Sequence, residues 1–315
     1  MARAYLQRAL EDAARVEVSV DELTEPAASR AAERRHEAVH DVHVALRRLR
    51  SWLRAWRPFL RDTLGRNSER RLTKLSRLAG QVRDLEVQRN WLTSDPVQRS
   101  RLGGTSARSM VGRVETEYAE AHRVLAASLL KRLGRAAVTL NAELQDLGAA
   151  EDEIAAAPTT ALVMARLIAD HADGLPKVLK RVRRSGQGDG AHAARIAVRR
   201  FRYLLDTLDH RSPDVRLVTR YLTNVQLQLG ELHDAQVLAA RLKSTSKKAK
   251  KSGRSRSRRN GVTRTGVATL EAMLRRRVAR ESRLARRTIA GSGKAGAVAA
   301  STRIVARLSR FETVG

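Results

Sequence analysis

A histidine-led run of basic residues occurs twice in the chain at helical spacing. The first copy extends from His40 to Arg50 and the second from His192 to Arg202, at an offset of 152 residues. Arginines three or four positions apart share one helix face, about 5–6 Å from one another. A guanidinium group presents a planar fork of donors that matches phosphate oxygens, and it stays charged at neutral pH. The spacing therefore favours a chain of phosphates over one small anion.

A second shared motif follows each copy. Gly80–Val87 reads GQVRDLEV and Gly230–Val237 reads GELHDAQV, at an offset of 150 residues. Two motifs in the same order at nearly the same offset indicate a duplicated unit, which predicts a symmetric, positively charged surface. Asp84 and Asp234 are equivalent acids in this unit. A carboxylate beside so many guanidinium groups is expected to be ionised and to hold one of them in position.

Helical periodicity extends the basic face beyond these motifs. In the first copy the face comprises His40, His43, Arg47, Arg50, Arg54 and Arg57, and in the second His192, Arg195, Arg199 and Arg202. The following helix adds Arg70, Lys74, Arg77 and Arg83, partly echoed by Arg220 and His233. A solvated helix face is the alternative, but like charges four positions apart destabilise a helix, which favours a bound anion. Histidines that titrate near pH ~6.5 predict tighter binding as the pH falls.

The composition is that of a strongly basic helical protein. Among 315 residues, 62 Lys and Arg stand against 33 Asp and Glu, which gives a net charge of +29. Solubility alone needs a net charge of about 2–8 on a small domain, so the excess indicates a polyanionic partner such as nucleic acid, polyphosphate or an acidic membrane surface. Aromatic residues make up only 3%, so a core of Leu, Val and Ala is predicted. The lack of cysteine excludes disulfides and thiolate zinc sites.

The apolar pattern predicts an all-α fold of two helical repeats, 1–150 and 158–315, within a single domain of 1–315. No signal peptide and no apolar run of the ~18 residues that span a membrane is present. A cytoplasmic, soluble protein without membrane insertion is therefore expected. One segment, 243–261, has nine Lys or Arg and no acidic residue. It is expected to be a mobile basic insertion in the second repeat, with helical sequence resuming at about Val262.

Other site chemistries fit the sequence less well. The helical spacing of His36, His40 and His43 could in principle ligate a metal, but the surrounding arginines repel a cation. The His40-Asp41 and His233-Asp234 pairs resemble HD-type phosphohydrolases, yet they stand at non-equivalent places in the two copies. An enzyme of phosphate metabolism is a further alternative, weakened by the lack of paired carboxylates for metal-assisted hydrolysis. No catalytic residue, metal or cofactor is predicted.

The two motifs resemble those of the CHAD domain, the conserved histidine α-helical domain, over almost the whole chain. The resemblance implies two four-helix bundles related by a pseudo-two-fold axis, with a basic pore or groove between them. It also implies binding of inorganic polyphosphate and association with polyphosphate granules. The ligand contacts it implies are His40, Arg47, Arg48, Arg50, His192, Arg195, Arg199, Arg200 and Arg202, with Arg83 in support.

The sequence departs from the CHAD pattern at two positions. His43 stands where the family usually has the first arginine of the signature, and His233 replaces the arginine equivalent to Arg83. The CYTH-type triphosphatase often joined to this domain needs a Glu-x-Glu-x-Lys strand, which is not found here, so a stand-alone binding module is expected. A nucleic-acid-binding protein stays the alternative, with 243–261 contributing. Against it, Trp52, Trp56 and Trp91 stand at helical positions suited to packing rather than to base stacking.

Overall fold

The computed structural model describes residue 11 and residues 29–57, 66–151, 160–185, 189–251, 262–291 and 293–310. Their regular secondary structure is helical, which confirms the predicted all-α fold. The helices of the first half are α1 (Ser29–Trp56), α2 (Arg66–Thr93), α3 (Asp95–Gln98) and α4 (Gly104–Glu151). Those of the second half are α5 (Thr160–Ser185), α6 (Asp189–Leu205), α7 (Pro213–Lys251), α8 (Arg264–Ala290) and α9 (Gly293–Ser309). None of these described helices is long and apolar enough to cross a membrane.

The apolar stripes of α1 and α2 are buried, as the helical period predicts. Each buried Leu or Val side chain is worth about 1.5–3 kcal/mol, so these stripes fix which face of each helix turns inward. The buried residues of α1 are Val39, Val42, Leu46, Leu49 and Leu53, and those of α2 include Leu72, Leu75, Val82 and Leu85. Arg47 and Arg50 are consequently half-buried at the edge of the core rather than directed into bulk water.

Two hydrophobic cores form, and α8 packs in both. The first core combines α1, α2 and α4 with Leu238 and Leu242 from the second half of α7 and with Leu270 and Leu274 from the first half of α8. The second combines α5, α6, α7 and α9 with Ala285 and Ile289 from the second half of the same helix. The boundary between the two cores therefore does not coincide with the boundary between the two sequence repeats. The predicted boundary between the repeats lies between residues 150 and 158, and all of it except residue 151 lies outside the described residues.

The beginning of α8 is seated closely against the beginning of α4. Thr263 caps α8, because its side chain accepts a hydrogen bond of 3.0 Å from the backbone N–H of Gly266. The N–H of Thr263 itself donates to Ser106 Oγ at 3.1 Å. A Cβ atom added at Gly266 would lie 2.6 Å from the carbonyl oxygen of Leu102. Only glycine lets the two helices come this close.

The basic segment 243–261 begins as helix rather than as an irregular tether. Helix α7 continues through Lys251. Lysines near a helix C-terminus interact favourably with the helix dipole, and a long preceding helix supplies the nucleus, so the expectation of irregular structure was wrong for 243–251. Residues 252–261 lie outside those described, and α8 begins at Arg264, close to the predicted position.

Helices α1 and α6, which carry the two basic motifs, pack against each other. The end of α1 helps to join the halves. Trp52 packs against the first core and Trp56 against the second, and their rings are stacked with centroids 5.2 Å apart. Trp91 also packs against the first core. All three tryptophans are therefore packing residues, as predicted.

Candidate anion-binding site

The contact between α1 and α6 brings the two basic motifs together. We name this surface the arginine seam and define it by His43, Arg47 and Arg50 of α1 with Arg195, Arg199 and Arg200 of α6. All six side chains are partly buried. The hydrophobic stripes beside them hold the two helices in place, so the guanidinium groups are brought close although their charges repel.

Electrostatic repulsion across the seam is strong. Burial, together with the charges of Arg47 and Arg195, lowers the pKa of Arg199 to about 9. Burial likewise lowers the pKa of His43 to about 2, with Arg47 and Arg199 contributing next. His43 is therefore neutral at physiological pH, while the arginines stay charged.

The arginines of the seam have buried donors without acceptors. In the described part of the chain, Nε of Arg47, Arg50, Arg195 and Arg199 is buried and has no hydrogen-bond partner. Buried polar groups in folded proteins are nearly always hydrogen-bonded, and buried charges are nearly always paired. Four such atoms at one surface therefore indicate a site for an anion.

Two carboxylates lie at one end of the seam. Asp84 and Asp234 both interact with Arg195 and Arg83, and they are close enough to influence each other. Burial raises the pKa of both carboxyls, and Arg195 opposes this shift most strongly. Their position beside Arg195 agrees with the predicted orienting role. The expectation that the neighbouring arginines keep both carboxylates ionised took no account of burial, which has the larger effect on the pKa of each carboxyl.

A second set of contacts anchors the outer arginines of the motifs. Arg48 Nε lies 3.5 Å from Asp206, and Arg202 lies 3.7 Å from the same carboxylate. Both guanidinium groups also lie over the ring of Tyr203, at 5.7 and 4.8 Å from its centroid. Arg202 donates a further hydrogen bond of 3.0 Å to Gln226. Arg202 is thus held by protein groups, in contrast to Arg47 and Arg199, whereas Arg48 has an ion pair but its Nε is also buried without a hydrogen bond.

The histidines singled out from the sequence differ in how far they are buried. His40 and His192 are exposed, and the His192 ring lies 5.7 Å from that of His233. Burial lowers the pKa of His233 to about 4, with Arg195 and His192 contributing next. His43 and His233 therefore do not gain charge near pH ~6.5, so the premise of the predicted pH dependence was wrong for these two side chains.

Three of the four predicted basic residues of α2 line a groove beside the end of α1. This α1–α2 groove has a volume of about 700 Å³ and is lined by Arg57, Glu69, Arg70, Thr73, Lys74, Arg77, Leu78 and Gln81. Glu69 accepts long hydrogen bonds from Arg54 and Arg57, at 3.4 and 3.5 Å. Arg77 and Arg54 also contribute to the electrostatic environment of Arg50, so the groove adjoins the seam.

The remaining predicted residues lie apart from the seam or are already paired. Arg83 donates a 3.0 Å hydrogen bond to Glu86, a fully buried carboxylate. Arg220 is exposed on α7. Among the described residues no group of three or more His, Asp or Glu side chains could hold a metal ion.

Asp206 and Tyr203 are the contacts that sequence reasoning missed. Neither belongs to the duplicated pattern, since the corresponding positions of the first copy are Ser51 in place of Tyr203 and Arg54 in place of Asp206. The only available signal was the position of Asp206 four residues after Arg202, a spacing that permits an ion pair on a helix.

Comparisons with known proteins agree with this fold. The family model of the CHAD domain matches residues 14–243. No curated protein matches the sequence. Among solved structures, the chain is similar to the crystal structure of the CHAD domain from the plant Ricinus communis, with a TM-score of 0.61 and 22% identity over 89% of this chain and 90% of that chain. The family match covers well over half of the chain, and we conclude that it belongs to the CHAD domain family.

Proposed function

We propose that the protein binds inorganic polyphosphate, without catalysis, through the arginine seam. The observation that carries the proposal is the set of buried Nε donors on Arg47, Arg50, Arg195 and Arg199 that have no acceptor among the described residues. Phosphate oxygens are strong acceptors that accept paired hydrogen bonds from a guanidinium group. A bound phosphate chain would supply the missing acceptors to both helices at once.

The repulsion between the two motifs supports a polyanion rather than a single carboxylate. Arg47, Arg195 and Arg199 lie close enough to influence one another, and removing an anion from such a cluster leaves uncompensated buried charge. A linear chain carries about one negative charge for each phosphate, so it can neutralise several guanidinium groups along one path. Membership of the CHAD domain family is consistent with this ligand class. Association with polyphosphate granules is part of the proposal.

Nucleic acid is the second candidate, favoured by the charge of +29 and by the basic segment 243–261. Proteins that bind single strands without sequence preference stack bases on aromatic side chains. Here Trp52, Trp56 and Trp91 pack against the cores instead. A shaped site of buried arginines therefore accounts for the structure better than a base-stacking surface.

The test is a direct binding titration of long-chain polyphosphate with Arg47→Ala/Arg199→Ala. We expect a loss of affinity of about 100-fold or more, because several charge-assisted contacts disappear together. The affinity of Arg47→Lys/Arg199→Lys should lie between those of the wild type and of Arg47→Ala/Arg199→Ala, because an ammonium group keeps the charge but not the planar fork.

Two matched variants separate the seam from general charge. Arg113→Ala/Arg135→Ala removes the same charge from exposed positions of α4 and should bind nearly as the wild type does. Replacing the nine Lys and Arg of 243–261 with Gln keeps the length of that segment and should preserve most polyphosphate binding. If this replacement abolishes binding while Arg47→Ala/Arg199→Ala leaves it intact, the proposed function is wrong.

A further inference from the structure

The two repeats differ in charge where the seam opens outward. Beyond the seam, α1 and α2 of the first repeat present five cations and one carboxylate, namely Arg54, Arg57, Arg70, Lys74 and Arg77 with Glu69. Counting by the same offsets of 152 and 150, the second repeat has Asp206, Asp209, Arg220, Asn224 and Leu227 with Thr219. Two arginines are replaced by aspartates, and two further cations are replaced by an amide and a leucine.

The side-chain contacts of the two repeats differ in the same way. In the first repeat these cations line or adjoin the α1–α2 groove of about 700 Å³. In the second repeat Asp206 forms ion pairs with Arg48 and Arg202, and the Leu227 side chain is 60% exposed. Gln81 of the groove corresponds to Glu231, which is paired with Arg277 at 3.0 Å. An anion leaving the seam on this side would meet paired carboxylates, an apolar side chain and, at the compared positions, one cation, Arg220, instead of five.

The α1–α2 groove is continuous with the seam through Arg50. Its guanidinium interacts with Arg200 across the seam and with Arg54 and Arg77 toward the groove. The single groove carboxylate, Glu69, is already neutralised by Arg54 and Arg57. Arg70, Lys74 and Arg77 are exposed and one helical turn apart, so they form a row of cations with no described ion pair of their own.

We propose that the α1–α2 groove is a second phosphate-binding subsite, which extends the bound polyphosphate chain from the seam across the first repeat only. This inference rests on the proposed function, because the seam holds the chain whose continuation the groove binds. Arg47 in the seam and Arg57 in the groove are about 15 Å apart along the helix axis, at a rise of 1.5 Å per residue. Tripolyphosphate is too short to cover the seam and the groove together, whereas a long chain covers both.

The experiment compares tripolyphosphate and long-chain polyphosphate binding to Arg70→Ala/Lys74→Ala/Arg77→Ala. These side chains are exposed, so the variant should fold as the wild type does. We expect the affinity for long chains to fall by about tenfold or more. The slope of log affinity against log salt concentration should decrease in magnitude by about two, since each lost contact contributes about 0.7 to this slope for single strands. Tripolyphosphate affinity should change by less than about threefold, because the seam is intact.

The charge-matched control is Arg113→Ala/Lys131→Ala/Arg135→Ala, which removes the same three charges from exposed positions of α4. Arg220→Ala/Asn224→Ala/Leu227→Ala tests the corresponding positions of the second repeat. Both variants should leave the two affinities nearly unchanged. If either control weakens long-chain binding as much as the groove variant does, or if the groove variant binds long chains as the wild type does, the one-sided extension is wrong. Failure of the proposed function has a different signature. In that case the wild type would bind neither ligand through Arg47 and Arg199, whatever residues line the groove.

Discussion

His43 shows how packing changes the chemistry that a residue type suggests. Its sequence position, equivalent to Arg195, and its ordinary pKa near ~6.5 predict a group that gains charge in mild acid. In the structure its ring is under the electrostatic influence of Arg47 and His40 of α1 and of Arg195 and Arg199 of α6, and it lies beside Gly80 of α2. A neutral ring at this position limits the repulsion that a further arginine would add.

The pKa of His43 leads to a prediction about stability. Because its folded pKa of about 2 lies below the unfolded value of 6.5, stability is fully present above pH 6.5 and falls as the pH decreases from there. The slope contributed by one such group is at most about 1.4 kcal/mol per pH unit. Urea unfolding of the ligand-free protein and of His43→Gln should show the difference. The glutamine variant should lose less stability between about pH 7 and about pH 5. Equal losses in the two proteins would contradict the buried neutral state.

Sequence reasoning identified the arginines of the seam but not all of their contacts. Duplication drew attention to Arg47 and Arg199, because identical residue types recur at equivalent helical positions. It could not identify Asp206 and Tyr203, which hold Arg48 and Arg202 and have no equivalent in the other repeat. It also could not give the pKa of His43, since burial depends on how α1 and α6 pack.

At the scale of elements, α8 links the two halves of the molecule. Its first half lies in the first core with α4 and the second half of α7, and its second half lies in the second core, where α5 and α7 also pack. The apolar period predicted a helix here, but it could not show that one helix would serve two cores. The helical course of 243–251 was missed for a related reason. Composition describes a segment by itself, whereas a preceding helix can extend into it.

The seating of α8 on α4 predicts opposite effects of the same substitution at two glycines. Gly266→Ala should destabilise the protein by about 1–3 kcal/mol, because the added methyl group overlaps the backbone at Leu102. Gly112→Ala is the control, since Gly112 lies within α4 and a Cβ there would meet no atom within 4 Å. It should stabilise the protein by about 0.5–1 kcal/mol through the higher helix propensity of alanine. Denaturant unfolding measures both changes, and a neutral Gly266→Ala would show that the helices are less closely packed.

At the scale of the whole molecule, the duplication is visible in the motifs, but the charges are not distributed equally. The repeated motifs predicted a symmetric basic surface. The described structure instead has a basic groove in the first repeat, where the second has Asp206, Asn224 and Leu227 at the corresponding positions. Conserved spacing between two repeats indicates a shared fold, whereas the residues between the motifs are free to diverge. Net charge alone therefore does not distinguish a shaped site from general attraction to polyanions.

Competition at fixed salt tests the central claim most directly. Labelled long-chain polyphosphate bound to the wild-type protein is displaced by unlabelled polyphosphate, duplex DNA or single-stranded RNA. General electrostatic attraction treats linear polyanions alike at equal charge, whereas a site of converging arginines does not. We predict that polyphosphate competes about 100-fold better per charge than either nucleic acid, and that Arg47→Ala/Arg199→Ala removes this preference. Equal competition by all three polyanions, unchanged in that variant, would contradict a polyphosphate site in the arginine seam.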